Sequence, residues 1–160
     1  MSSAGLAVPV FIRRRIALAA AEVVASLAWD PAAVLGLAEP PPGDGRLLVP
    51  LRARFAGVWF DRSAAVGFGP IVEEDDGTPV MPVWWEAAEQ RWLFPTFDGG
   101  LEVRPVGNGT ELRLEGHYRP PLGAAGVLVN RAVLNRAATA SLEAFLDRLC
   151  GRLVDRPVPA

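Results

Sequence analysis

Few side chains in this sequence could do chemistry, and their spacing limits what they could do together. Every basic residue is arginine. Without lysine there is no Schiff-base chemistry on a lysine side chain and no phosphate-binding P-loop. The one histidine, His117, stands next to the one tyrosine, Tyr118. Consecutive residues of a strand point to opposite faces, so this base and this phenol cannot work on one substrate. His117 alternates with the polar set Arg113 and Glu115, whereas Tyr118 alternates with Leu112 and Leu114. A single cysteine, Cys150, rules out a disulfide framework and, with one histidine, a His/Cys zinc site. It reads as a buried, inert thiol. The acidic run Glu73-Glu74-Asp75-Asp76 leads into Gly77 and reads as a solvated turn before it reads as a cation site. Neither a nucleophile elbow nor a dinucleotide-binding glycine loop is present. No metal and no cofactor is expected.

The remaining polar candidates sit among apolar neighbours. In Arg13-Arg14-Arg15, alternation sends Arg13 and Arg15 outward and leaves Arg14 on the face of Val10, Ile12 and Ile16. Arg14 either snorkels at a strand end or offers a cationic handle to a carboxylate or polar head group. Arg131 and Asn135 fall within the apolar arc of a C-terminal helix. They form either a polar patch at a cavity mouth or the part of the helix that overhangs into water.

That helix is the element the rest must position. From Leu122 to Arg156 the chain has no proline, and Leu134, Ala138, Leu142, Phe145, Leu146, Leu149 and Leu153 share one arc at helical spacing. Arg136, Glu143, Asp147 and Asp155 take the opposite side. One helix over 124–154 is expected, with Leu142, Phe145 and Leu149 buried. Upstream, Val8 to Leu18 alternates as a strand. Ala19 to Leu37 reads as two short helices, the second started by Asp30-Pro31 and running to about Leu37. Pro40 to Gly45 is a break. Strands follow at Arg46–Phe55, Ala64–Glu74, Pro79–Ala88, Leu101–Val106 and Thr110–Arg119. Hairpins form at Asp76-Gly77 and Gly107-Asn108-Gly109. Trp59 and Phe60 fall in the Phe55-to-Arg62 connection, where they could cap an opening, and Trp84 alternates outward. The fold class is α+β: an antiparallel sheet of six to seven strands curved around one long C-terminal helix.

Composition sets the outer limits. The 160 residues are 51% hydrophobic and 21% charged, which suits one globular domain spanning 1–160, with 1–7 and 156–160 as flexible tails. A net charge of −2 gives no electrostatic case for nucleic acid. No stretch has the unbroken apolar length of a membrane span, and Glu22 interrupts the apolar run that follows the arginines. A cytoplasmic location is the default expectation.

The order of these elements, with Leu93-Phe94-Pro95, Gly100-Leu101-Glu102-Val103 and Gly116-His117-Tyr118-Arg119-Pro120-Pro121-Leu122-Gly123, resembles the START-like (SRPBCC) superfamily. That superfamily includes lipid-transfer domains, the major birch pollen allergen and polyketide cyclase/aromatases. The resemblance implies a helix-grip fold around an apolar cavity, and ligands and activities vary widely within it. Together with the inward faces it implies a pocket of roughly a few hundred Å³. Leu51, Phe68, Trp85, Leu101, Val103 and Leu114 would line it from the sheet, and Leu142 and Phe145 from the helix. Arg14, Tyr118, Arg131 and Asn135 would supply its polar groups. Three readings stay open: a non-catalytic binder of a hydrophobic lipid- or polyketide-like molecule, a cyclase/aromatase/dehydrase, and a domain acting through its surface. The first is favoured, because the inward set lacks a good base near neutral pH.

Overall fold

The computed structural model describes residues 7–34, 47–55, 58–87, 96–119 and 131–155. Side chains are excluded at 32, 47–55, 58–64, 87, 131–135, 137 and 138. The elements in chain order are β1 (Val8–Ile16), α1 (Ala20–Trp29), α2 (Pro31–Val34), β2 (Leu47–Phe55), β3 (Val58–Phe68), β4 (Val72–Glu73), β5 (Pro79–Ala87), β6 (Thr96–Val106), β7 (Gly109–Arg119) and α3 (Arg131–Asp155). The strands form one antiparallel sheet in the order β1-β7-β6-β5-β3-β2, with the two-residue β4 paired to β5.

Helix and sheet together dictate the curvature. Flat, six strands would set their outer edges about 24 Å apart, at ~4.8 Å per strand. The backbone of α3 nevertheless runs closest to the two edge strands, β1 and β2, and stands off the middle strands β5 and β6. A rod about 10 Å across meets both edges and leaves the centre only if the sheet curls around it. The gap is filled by long side chains. Phe145 is fully buried, with its ring 5.5 Å from Trp85 and 6.5 Å from Phe68, and Trp85 lies 4.7 Å from Phe97. Leu142, Leu146, Leu149 and Leu153 complete the buried stripe of α3, as their helical spacing requires.

Two opposed glycines sit where the sheet is most crowded. Gly99 of β6 pairs with Gly116 of β7. A methyl group on Gly116 would lie 2.6 Å from the Gly99 Cα and 2.8 Å from the Phe97 ring, and one on Gly99 would run into the Glu115 carbonyl. Only glycine allows the strands to approach this closely while the Phe97 ring covers them. For this reason β6 runs unbroken from Thr96, although Gly99-Gly100 in sequence suggests that the strand starts at Leu101.

Other boundaries also differ from the sequence reading. Trp59 and Phe60 are strand residues paired with Arg54 and Ala53, so they do not form a connection. The strand expected over 64–74 ends at Phe68 and resumes as β4, which turns through Asp76, whose Oδ1 accepts from the Thr78 N–H at 2.9 Å. The second hairpin is tighter than expected: Val106 pairs with Gly109, leaving Gly107-Asn108 as the loop, with Gly107 at φ 59° as a primed turn requires. Of the two short helices, α1 has ten residues and buries Val23 and Leu27. The second is a four-residue turn, capped where Asp30 Oδ1 accepts from the Ala33 N–H, and its expected continuation to Leu37 lies outside the described residues. The start of the long helix, 124–130, also lies outside them.

Replacing Phe145 by alanine removes the ring that joins α3 to Trp85 and Phe68, and should cost about 3–5 kcal/mol. Equilibrium chemical denaturation measures it. A loss below about 1 kcal/mol would mean the ring does not carry the helix–sheet contact.

Candidate functional site

The inner face of the sheet is read from the pairing register. One row crosses five strands: Val8 of β1, Tyr118 of β7, Phe97 of β6, Trp85 of β5 and Val66 of β3 are successive partners. A second row joins Ile12, Leu114, Leu101 and Met81, and a third joins Arg14, Leu112 and Val103. Every apolar member of these rows is buried apart from Val8, which is half-buried. Trp85, Leu101, Val103, Leu114, Tyr118, Leu142 and Phe145 thus share one apolar interior, with Phe68 partly buried against it. Leu51 pairs with Arg62 in β2–β3, and Arg131 and Asn135 lie in the first turns of α3. The side chains of these three candidates are outside the described residues.

Tyr118 is 4% exposed, and burial pushes its phenol above its ordinary value, so it stays protonated. Among the described residues no hydrogen bond reaches its hydroxyl. The same holds for the indole N–H of Trp85, also 4% exposed. Buried phenols and indoles usually find partners. His117 is exposed on the outer face, across from Pro9 and Asp98, so base and phenol are separated as strand alternation requires.

Arg14 differs from expectation in one respect. It lies on the inner face, but its guanidinium does not await a ligand. Its Nε donates to Asp147 Oδ1 at 2.6 Å and its Nη2 to Asp147 Oδ2 at 3.5 Å, with Glu143 4.0 Å away. The helical wheel puts these acids opposite the apolar arc. Because α3 lies along the sheet edge, however, the flank of the helix reaches β1. Both partners are substantially exposed, so the pair contributes about 0.2–1 kcal/mol. It pins the edge strand to the helix.

Glu111 alternates outward, yet it is 1% exposed because two arginines cover it. Arg15 Nε donates to it at 2.9 Å and Arg113 Nε at 2.7 Å. On the same outer face Trp84 is 38% exposed and packs over Gly67. Cys150 is buried, and burial, then the Asp147 charge, pushes its thiol up to about 11. Among the described residues no group of three or more His, Cys, Asp or Glu could hold a metal ion. No helix among them is long and apolar enough to cross a membrane.

The chain therefore has a helix-grip fold, an antiparallel sheet curled around one long helix, and solved structures share it. A START superfamily protein from Mycobacterium smegmatis is 15% identical, with a TM-score of 0.51 over 91% of this chain and 97% of that one. The Zhui aromatase/cyclase from a Streptomyces species is 16% identical, with a TM-score of 0.53 over 94% of this chain and 96% of that one. Norcoclaurine synthase from Thalictrum flavum is 12% identical, with a TM-score of 0.53 over 95% of this chain and 89% of that one. No family model matches the sequence, and no curated protein matches it.

Two outcomes follow. Hydrogen bonds from Arg113 and then Arg15 hold the Glu111 carboxyl below its ordinary value. The folded pKa is the lower one, so its stabilising effect is complete above the ordinary 4.5 and is lost as pH falls through the folded value. Glu111→Gln should lower the denaturation midpoint at neutral pH, with the gap to wild type closing in acid; a gap independent of pH would contradict this. The raised Cys150 pKa predicts slow alkylation by maleimide in native buffer and fast alkylation in denaturant. Equal rates would place the thiol at the surface.

Proposed function

We propose that this protein binds a hydrophobic small molecule, lipid- or polyketide-like, between α3 and the inner face of the sheet, without transforming it. One observation carries the reading. The helix meets the sheet at its two edges, and the interior between them is lined by apolar side chains. Small ligands bind where apolar side chains converge between packed elements. The likeness to a START superfamily protein and to an aromatase/cyclase supports the same reading.

The aromatase/cyclase likeness also supports a catalytic alternative. That alternative needs a proton acceptor inside, and the interior titratable groups among the described residues are a phenol and a thiol that burial holds protonated and an arginine bound to Asp147. None of them is a good proton acceptor near neutral pH.

Titration with N-phenyl-1-naphthylamine, a neutral apolar fluorophore, tests the proposal. One saturable site with a blue-shifted emission is expected. At about 100 times its Kd, the probe should stabilise the fold by roughly 2.7 kcal/mol. Non-saturable uptake with no change in melting temperature would overturn the reading.

A further inference from the structure

Two hydrogen-bond donors on the inner face have no partner among the described residues, and both belong to one aromatic row. Tyr118 and Trp85 flank Phe97 in register, and each is 4% exposed. Their backbones are two strand spacings apart, about 10 Å. The Trp85 and Phe97 rings are 4.7 Å apart, and Tyr118 stands beside Phe97 in the strand register. A buried donor left unpaired costs stability, and neither ring requires its polar atom for packing alone.

We infer that this row is a recognition site for a flat apolar ligand carrying a neutral, acceptor-only oxygen, a ketone, quinone or ester carbonyl, that takes its hydrogen bond from Tyr118. The inference rests on the proposed binding function and names its ligand class. Three observations choose the oxygen. The phenol remains protonated, so it donates. The indole only donates, so it offers nothing to a ligand hydrogen, and an acceptor-only oxygen brings no unpaired hydrogen of its own. A carboxylate would be buried beside these groups without a cation. Arg14 is bound to Asp147 and pairs in register with Leu112, about 20 Å along β7 from Tyr118 at the strand rise. The site therefore selects against acids and for neutral carbonyl compounds.

The experiment compares 2-acetylnaphthalene with 2-ethylnaphthalene, alike in shape and differing in the carbonyl, as competitors of N-phenyl-1-naphthylamine. Wild type should prefer the ketone by roughly 3- to 10-fold, the range of one hydrogen bond. Tyr118→Phe should abolish that preference and leave the affinity for the hydrocarbon within about twofold. Since the hydroxyl has no partner among the described residues, the same substitution should leave the melting temperature unchanged or raised, where a structural hydroxyl would lower it. Equal binding of ketone and hydrocarbon to wild type overturns the inference while the binding function stands. A lowered melting temperature in Tyr118→Phe also overturns it, by showing an internal partner. If neither naphthalene nor the fluorophore binds, binding function and inference fail together.

Discussion

The constraint on which the rest depends is that one helix meets both edges of a six-stranded path. Strand spacing is fixed by backbone hydrogen bonding and helix diameter by side-chain size, so curvature is the only remaining freedom. The sequence meets that demand at Gly99 and Gly116, where the strands come too close for any side chain and the Phe97 ring supplies the cover two glycines cannot. The curl then creates an interior wider than one layer of leucines. Aromatic residues reach across it: Phe145 from the helix, and Trp85 and Phe68 from the sheet.

Charge organises the exterior of the same frame. On the inner side of the edge strand, Arg14 joins β1 to α3 through Asp147; on the outer side, Arg15 and Arg113 close over Glu111. The arginine triplet is thereby divided by alternation, with Arg14 and Arg15 serving as ties on opposite faces of one strand. The exposed Arg14–Asp147 tie contributes little alone. Together the two ties fix where the edge strand sits against α3 and β7. The interior holds no comparable charge among the described residues; its polar atoms include the Tyr118 hydroxyl, the Trp85 indole N–H, the Cys150 thiol and the Thr110 hydroxyl, which donates to the Leu18 carbonyl.

Much of this was legible in the sequence because it depends on local periodicity. Strand alternation put Val10, Ile12, Leu112, Leu114 and Tyr118 inside and His117 outside, and the helical stripe identified Leu142, Phe145 and Leu149 as buried. What was not legible depends on a partner distant in the chain. The strand read as Leu101–Val106 extends back to Thr96, which depends on Gly116 and the Phe97 ring lying beside Gly99. The start of β3 at Val58 becomes visible only through its pairing with β2. The helical wheel sends Asp147 outward, and only the position of α3 along the edge strand brings it to Arg14. An interior site is implied in the sequence by the resemblance to START-like proteins, whereas the row that sets Tyr118 and Trp85 on either side of Phe97 appears only in the strand register.

The central claim is that the inner face, between helix and sheet, is where this protein meets its ligand. Intermolecular nuclear Overhauser effects between the protons of a bound neutral naphthalene and the side chains of the protein test it most directly. The account predicts cross-peaks to the rings of Trp85, Phe97 and Phe145 and to the methyl groups of Leu114. Cross-peaks confined to the exposed apolar residues Phe11, Val72 and Trp84 would contradict it and place the interaction on the outside of the sheet.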